Sequence, residues 1–418
     1  MTLDVHLYGE RIGTLFPAGE NDYRLAYAPE LVEKVGSGAS LLSSALPTRV
    51  EPYSAAATQA FVDGLLPTGL RRLKLARELQ VDPGDGYALI AATGRDCAGA
   101  VTFLPKGTPV VRPAQDEILW IDDDELEEAL APSSRHFHPS REPRMRFALG
   151  GVRHKLGVVR DERAGRWAWP DVGLPSTHVV KPETGEYPEL VANEMFCTGI
   201  VREIGLPVVS TSIERIGGRD CLVSERFDRE GDGVEAKRVH QETFCQALGY
   251  PRSANDHNGG CADGPGFPEA CGLLRAVARA EDRSTLFTIA FCNYMLGNGD
   301  AHGENLALVF HGDGVSLAPF YDLASTAVYD EPLHIGMVIS EDYTETAYLL
   351  ELAQIAEDCS FDFDRLRELA ASTAAKLNEA LDVVAARARA EGWYAPVIDR
   401  IAELAGERAF GLGVEVEY

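Results

Sequence analysis

The residues best suited to catalysis lie in one short segment, Gly297-Asn298-Gly299-Asp300-Ala301-His302-Gly303-Glu304-Asn305. Asp300 precedes Asn305 by five residues, which is the spacing of the catalytic loop in protein kinases. Phosphoryl transfer needs a carboxylate that accepts the proton of the attacking hydroxyl, and a neutral oxygen that holds Mg²⁺ at the phosphates. A second carboxylate, Asp322, ends Pro319-Phe320-Tyr321-Asp322 and is suited to the same ion. Alone, this spacing also arises by chance, and Asn-Gly-Asp is commonly only a turn.

A lysine and a glutamate further upstream strengthen the kinase interpretation. Lys181 ends a run, residues 176–180, that has the composition of a strand, and Glu194 lies in the helix predicted to follow. In kinases a strand lysine oriented by a helix glutamate holds the α- and β-phosphates. The alternative is a surface salt bridge, which contributes little to stability.

A short glycine-containing loop, residues 148–157, precedes this strand. Gly150 and Gly151 allow backbone N–H groups to approach phosphates, and Arg153 and Lys155 supply positive charge. The loop matches neither G-x-G-x-x-G nor the Walker pattern, so such a stretch by itself is more often an ordinary β-turn. The order of loop, lysine, glutamate, Asp-x₄-Asn and second Asp is nevertheless the order of the protein-kinase-like fold. A candidate hinge, residues 225–229, lies between the strand-rich and helical halves.

The elements that must position these residues follow from periodicity and turn residues. A hairpin is predicted around Gly9-Glu10, and a helix after Ser54 that Pro67 ends. An acidic helix start lies at residues 122–125. Residues 146–230 are predicted to be strand-rich around one helix from Pro188 to about Ile204, and the chain beyond residue 240 to be helical. This pattern predicts an α+β protein.

Composition limits the possible partners. The 418 residues carry 39 Lys+Arg against 65 Asp+Glu, a formal net charge of −26, with 45% hydrophobic residues. This acidity disfavours binding of a phosphate backbone or an anionic membrane, and the hydrophobic content is that of a globular protein. The N-terminus lacks a signal-peptide pattern, no run of 18 apolar residues occurs, and the eight cysteines are scattered without a C-x-x-C pair. We therefore expect a cytoplasmic protein with reduced, mostly buried thiols.

Taken together, the chain resembles the HipA-type serine/threonine-protein kinase toxins over nearly its whole length. The resemblance rests on motifs in both halves: Leu65-Leu66-Pro67, Gly94-Arg95-Asp96-Cys97-Ala98-Gly99-Ala100-Val101, Val180-Lys181-Pro182, Asn193-Glu194, Glu225-Arg226-Phe227-Asp228-Arg229, Gln246-Ala247-Leu248-Gly249, Gly264-Pro265-Gly266, residues 299–305 and residues 319–322. It implies a protein-kinase-like two-lobed fold with an N-terminal HipA-type subdomain (residues 1–105), a connector (106–145), an N-lobe with the ATP loop (146–235) and an all-helical C-lobe (236–418).

The resemblance also implies the cofactors, the partners and the site. The cofactors are ATP and Mg²⁺. The partners are a HipB-like helix-turn-helix antitoxin, through which alone the protein meets DNA, and a protein substrate, chiefly the glutamyl aminoacyl-tRNA synthetase. Asp300 would be the catalytic base, Glu194 the partner of Lys181, and Asn305 and Asp322 the metal ligands. The ATP-binding residues would be Gly150, Gly151, Val152, Arg153, His154, Lys155, Lys181, Glu225, Arg226, Phe227 and His302.

Three residues depart from the family pattern. Ala148 stands where the family carries an autophosphorylated serine that switches the kinase off, so either the chain lacks this switch or a natural serine has been replaced. Glu304 stands where a lysine is usual, which places a negative charge near the phosphates. His154 is a lesser change in the loop. Two alternatives therefore stay open: a pseudokinase that acts as co-repressor with the antitoxin, and a small-molecule phosphotransferase of the aminoglycoside kind.

Overall fold

The computed structural model describes residues 1–19, 21–131, 155–185, 187–251, 264–312, 314–329 and 347–416. The family-serine position Ala148 and five residues predicted to bind ATP lie outside these ranges; the five are Gly150, Gly151, Val152, Arg153 and His154. Among the described residues, none of the helices combines the length and apolarity that crossing a membrane requires. The seven cysteines in these ranges are buried free thiols, as the sequence predicts.

The N-terminal part is an antiparallel four-stranded sheet of order β3-β2-β1-β4, covered by helices. The strands are β1 Leu3–Leu7, β2 Glu10–Pro17, β3 Tyr23–Tyr27 and β4 Val101–Pro105; the helices are α1 Pro29–Val35, α2 Ala55–Asp63, α3 Gly69–Leu79 and α4 Gly86–Thr93. The predicted hairpin is confirmed, with Leu7 paired to Glu10. Tyr8 and Gly9 form its two-residue turn with φ of 53° and 84°, the backbone that a type I′ turn requires.

The helix predicted after Ser54 is present, with the Ser54 side chain as its N-terminal cap, but it ends earlier than expected. The last helical residue is Asp63, so the buried residues Leu65 and Leu66 lie beyond the helix. Gly64 follows, and a Cβ there would lie 2.7 Å from Cγ of Gln246. A glycine at this position lets the N-terminal domain approach the C-lobe closely.

A six-stranded sheet of order β5-β7-β6-β8-β10-β9 forms the N-lobe. Its strands are β5 Trp120–Ile121, β6 Leu156–Asp161, β7 Arg166–Ala168, β8 His178–Pro182, β9 Thr211–Ile216 and β10 Arg219–Glu225; its helices are α5 Asp123–Leu130 and α6 Leu190–Ile204. The predicted acidic helix start is confirmed, because Asp122 caps α5. The single helix predicted within this strand-rich region is confirmed as α6. Strand β5 lies inside the predicted connector and adds an edge to the sheet.

The C-lobe is mostly helical. Its helices are α7 Phe244–Leu248, α8 Phe267–Val277, α9 Ala280–Leu296, α10 Ala347–Asp358, α11 Phe363–Glu391 and α12 Val397–Val416. Two short strands, β11 Arg229–Glu230 and β12 Lys237–Arg238, form a ribbon where the lobes meet.

Residues 236–418 are not all-helical, contrary to the expectation from the sequence. A three-stranded sheet lies there, made of β13 His240–Thr243, β14 Ala307–His311 and β15 Gly314–Leu317. Short runs of four or five residues carry too little periodicity to distinguish a strand from part of a helix. In β13 the buried residues His240, Gln241 and Glu242 are polar, which hides the strand from a hydrophobicity pattern.

Helix α6 connects the two lobes through its packing against the long helix α11. Phe196 and Ile200 of α6 share one hydrophobic core with Leu377 and Val384 of α11. A Cβ added at Gly199 of α6 would lie 2.8 Å from Cγ1 of Val384, so the helices approach closely at this point. The helix that carries Glu194 is therefore fixed to the C-lobe as well as to the N-lobe sheet.

Candidate functional site

The predicted catalytic loop begins where α9 ends. Gly297 stops the helix with a φ of 68°, and the Asn298 N–H donates to the Asn293 carbonyl at 2.9 Å. The side-chain amide of Asn305 donates to the Asp300 carbonyl at 2.7 Å, which closes the loop. Nε2 of His302 lies 3.3 Å from Oδ1 of Asp300. The loop thus gathers Asp300, His302 and Asn305 within one turn of chain, and the Asn305 amide oxygen is the atom left to meet a cation.

A second segment, residues 322–326, lies beside the loop. The Gly299 N–H donates to Oγ1 of Thr326 at 2.8 Å. Asn193 of α6 fixes this segment, because its side chain donates to the Ser325 carbonyl and accepts from the Ser325 N–H, each at 2.8 Å. No role for Asn193 or Thr326 was predicted from the sequence. The only sequence feature that could have pointed to Asn193 is its position next to Glu194.

Lys181 is the centre of the charged site. Its Nζ lies 2.5 Å from Oε1 of Glu194 and contacts Oδ1 of Asp322, and Lys155 Nζ lies 3.8 Å from Oδ2 of Asp322. The structure therefore brings together an N-lobe strand, helix α6 and the segment after β15. Burial acts to lower the pKa of Lys181, but Asp322 and Glu194 outweigh it and raise that pKa above its ordinary value. The Lys181 ammonium thus stays charged.

Lys155 has the opposite electrostatic balance. Burial lowers the pKa of Lys155 to about 8; Asp322 opposes this shift, and the nearby charge of Lys181 adds to it. Lys155 is the one residue of the predicted glycine loop's ATP-binding set that lies within the described ranges. It is positioned beside the predicted metal ligand Asp322.

Asp322 has an unusual backbone conformation. Its φ is 54°, in the left-handed region that costs a non-glycine residue energy and that clusters at functional sites. Phe320, two residues earlier, is fixed by backbone hydrogen bonds to Pro207 and Val209 at 2.9 and 3.0 Å. Tyr321 stacks on Phe227 with ring centroids 5.3 Å apart, and its hydroxyl donates to the Glu304 carbonyl at 2.8 Å. These contacts hold the backbone turn that directs the Asp322 carboxylate toward Lys181.

The three hinge residues predicted to contact the adenine, Glu225, Arg226 and Phe227, have different surroundings. The Glu225 N–H donates to the Ser210 carbonyl and the Arg226 N–H to the Thr177 carbonyl, each at 2.9 Å. The Glu225 side chain is exposed, and Phe227 is half-buried against Tyr321. The Arg226 side chain is buried away from solvent. That the backbone of residues 225–227 binds adenine stays a prediction.

The Arg226 side chain belongs to a buried ion cluster that joins the N-terminal domain to the hinge. The cluster consists of two aspartates and three arginines whose side chains are between 2% and 8% exposed: Asp96, Asp228, Arg226, Arg229 and Arg238. Its shortest ion pairs are Arg226 to Asp228 at 2.7 Å and Arg238 to Asp96 at 2.9 Å.

Backbone groups of the N-terminal domain complete this ion cluster. The Gly99 N–H donates to Oδ2 of Asp228 at 2.6 Å, and the Cys97 carbonyl accepts from Arg226 and Arg229 at 3.1 Å. Burial alone would raise the pKa values of Asp96 and Asp228, but the arginines outweigh it and lower both. No local sequence pattern reveals this role of Asp96, because the arginines that pair with it lie 130 or more residues away along the chain.

The donor set fits a hard divalent cation. Asn305 offers an amide oxygen and Asp322 a carboxylate, and Mg²⁺ takes such oxygen ligands together with water and substrate phosphates. Glu304, the acidic departure from the family pattern, is buried, with 9% of its surface exposed.

Family models match both parts of the chain. A HipA N-terminal domain model matches residues 3–104, and a HipA-like C-terminal domain model matches residues 147–390. A putative kinase, Y4mE of Sinorhizobium fredii, is 36% identical over 301 residues, which cover 69% of each chain. The serine/threonine-protein kinase toxin HipA of Shewanella oneidensis is 28% identical over 370 residues, covering 84% of this chain and 82% of that one.

A solved structure has the same fold over nearly the full length. It is the complex of HipA, HipB and operator DNA from Shewanella oneidensis, with a TM-score of 0.77 and 25% sequence identity. The match covers 99% of this chain and 96% of the other.

Proposed function

The chain belongs to the HipA family, and from this membership we propose that it is an ATP-dependent protein serine/threonine kinase acting as the toxin of a toxin–antitoxin pair. One observation carries the proposal: Lys181 contacts both Glu194 and Asp322. This arrangement is the one in which a kinase holds the phosphates of ATP and places a metal-binding aspartate beside them.

The residues of the catalytic loop take separate roles in this proposal. Asp300 accepts the proton of the attacking serine or threonine hydroxyl, and His302, beside it, contacts the γ-phosphate. Asn305 and Asp322 hold Mg²⁺, which when bound neutralises charge on the β- and γ-phosphates. Lys181 orients the phosphates, and Glu194 keeps the Lys181 side chain in place.

The remaining predicted contacts complete the nucleotide site. The backbone of Glu225, Arg226 and Phe227 meets the adenine. The loop from Gly150 to Lys155 covers the phosphates with backbone N–H groups and with the charge of Arg153 and Lys155.

The partners proposed here follow from the family. The antitoxin is a HipB-like helix-turn-helix protein, and a solved relative in complex with HipB and operator DNA supports this assignment. With a net charge of −26, the chain itself is unsuited to a phosphate backbone, so DNA is met through the antitoxin. The substrate is an aminoacyl-tRNA synthetase, chiefly the glutamyl one, whose phosphorylation in the cytoplasm arrests growth.

The decisive experiment compares the protein with its Asp300→Asn variant in a transfer assay with radiolabelled ATP, MgCl₂ and glutamyl-tRNA synthetase. Loss of the base is expected to reduce transfer by a factor of about 10² to 10⁴ and to relieve growth arrest. Asp364→Asn, an exposed aspartate of α11, serves as the matched control and keeps full activity. Undiminished transfer by Asp300→Asn would contradict the assignment.

The pseudokinase remains the second candidate, because Glu304 places a carboxylate in the catalytic loop. It predicts that the unmodified chain binds Mg-ATP, measured by calorimetry, without transferring phosphate to any synthetase. Transfer by the unmodified chain excludes it.

A further inference from the structure

We propose that Glu162, His178 and Glu225 form a binding site for Zn²⁺ at the hinge side of the N-lobe sheet, separate from the predicted Mg²⁺ site. One ligand atom from each residue lies within 4.8 Å of the other two. The proposal does not rest on kinase activity, because a metal can bind there whether or not the chain transfers phosphate.

Three neighbouring strands bring these residues together. Glu225 ends β10 and is directly opposite His178, the first residue of β8, in the antiparallel pairing. Such cross-strand partners have Cβ atoms about 5 Å apart and share one face of the sheet. Glu162 follows the end of β6, which pairs with β8 on its other side. The sheet register therefore places Glu225 beside His178, whereas Val158 of β6 lies opposite His178 and Glu162 approaches the imidazole from the turn after β6.

The histidine is both buried and oriented. His178 is 7% exposed, and its Nδ1 lies 2.9 Å from Oγ1 of Thr177. Its Nε2 is 3.9 Å from Oε1 of Glu162, too far for a hydrogen bond, and has no hydrogen-bond partner among the described residues. When Nδ1 donates to Thr177, Nε2 presents its lone pair to the carboxylates. A metal-bound histidine is typically held in this way by a partner on its second nitrogen.

The charges around the site suit a divalent cation. Burial, followed by the charge of Arg160, lowers the pKa of His178 to about 4, so the imidazole is neutral at pH 7, as a metal ligand must be. Arg160 is itself paired with Glu214, which compensates its charge. The two negative charges of the Glu162 and Glu225 carboxylates balance the two positive charges of the ion.

The ligand types select Zn²⁺ over Mg²⁺. Zinc accepts imidazole nitrogen and carboxylate oxygen at about 2.0–2.2 Å, with water in an open fourth position, whereas Mg²⁺ prefers oxygen ligands alone. Ligands in such a site lie about 3.4 Å apart, closer than the present atoms. Glu162 and Glu225 are exposed, so their side chains can rotate inward while His178 stays fixed.

The test is calorimetric titration of ZnCl₂ into the full-length chain, with excess MgCl₂ present to fill the predicted Mg²⁺ site. We expect one zinc equivalent, with an affinity at least about tenfold weaker in Glu162→Gln and in Glu225→Gln. Glu128→Gln, at an exposed residue of α5, is the matched control and should bind zinc as the parent chain does.

The double variant Glu162→Gln/Glu225→Gln makes the experiment decisive. Loss of one zinc equivalent in this variant, with an unchanged circular dichroism spectrum, supports the site. Zinc binding with the same stoichiometry and affinity in the double variant and the parent chain would overturn the proposal.

Discussion

At the scale of single residues, the charge of Lys155 is the pH-sensitive feature of the candidate site. Its pKa of about 8 means that the ammonium is mostly charged at pH 7 and mostly neutral at pH 9. The predicted metal ligand Asp322 lies beside it, so the affinity for phosphates bound at this site would depend on whether Lys155 is charged.

We therefore predict that Mg-ADP binding weakens as the pH rises through 8. Because the charged form attracts phosphates, the dissociation constant should increase by up to about tenfold between pH 7 and pH 9. Calorimetry at the two pH values measures the change. Lys155→Gln is the control, since it removes the titrating group and should flatten the response. The same increase in the parent chain and in Lys155→Gln would show that another group is responsible.

The residue types of the site were accessible from the sequence, but their surroundings were not. Asp-x₄-Asn and the order of Lys181, Glu194 and Asp322 follow from chemistry that any kinase-like site requires. The left-handed backbone of Asp322 and the anchoring of Ser325 by Asn193 depend on contacts between distant segments. No local pattern encodes such contacts.

At the scale of elements, the junction between α9 and the predicted catalytic loop depends on one glycine. Gly297 has a φ of 68°, and a Cβ there would lie 2.7 Å from Cβ of Ala327 and 2.9 Å from Cδ2 of Leu404. The tight turn lets the loop fold back against the segment that follows Asp322. It also lets helix α12 pack over the junction.

We predict that Gly297→Ala destabilises the protein and impairs transfer. The left-handed backbone alone costs about 1–2 kcal/mol with a side chain present, and the crowded contacts add to this. Urea denaturation followed by circular dichroism measures the free energy of unfolding. Gly312→Ala is the matched control, because Gly312 has open space for a Cβ and should change little. Equal stability of the two variants would contradict this account of the turn.

The elements themselves were predictable where their pattern is long or has a distinct turn. The hairpin around Gly9, helix α6 and the helical C-terminal region follow from periodicity and glycine placement. Strand β13 could not be predicted from periodicity, because tertiary packing buries its polar residues His240, Gln241 and Glu242. The early end of α2 reflects the close approach of Gln246, which lies in another domain.

At the scale of the whole molecule, the buried ion cluster attaches the N-terminal domain to residues 226–229 of the predicted hinge. Asp96 sits among Arg226, Arg229 and Arg238 and is nearly inaccessible to solvent. Removing one partner from such a cluster leaves buried charges uncompensated, which is far more costly than losing a surface pair.

We predict that Asp96→Asn lowers the free energy of unfolding by about 3 kcal/mol at pH 7. Thermal melting followed by circular dichroism measures the effect, and Asp116→Asn, at an exposed residue, should leave the melting temperature unchanged. Since its folded-state pKa is lowered, Asp96 stabilises the protein above about pH 4, and this contribution is lost as the pH falls through the folded-state value. Acidification should therefore cost Asp96→Asn less stability than the parent chain. Equal melting temperatures of parent and Asp96→Asn at pH 7 would contradict the prediction.

The packing of α6 against α11 has a consequence for how activity can be controlled. Many kinases are switched by swinging the helix that carries the glutamate partner of the lysine. Here Gly199 of α6 packs closely against Val384 of α11. Helix α11 has 29 residues and is about 44 Å long, so it supports α6 along its buried face. Moving Glu194 away from Lys181 by displacing α6 would therefore open the hydrophobic core that α6 shares with α11. Control by displacement of this helix would therefore expose buried apolar surface, and an inhibitor that pushes the helix outward would have to compensate for that loss.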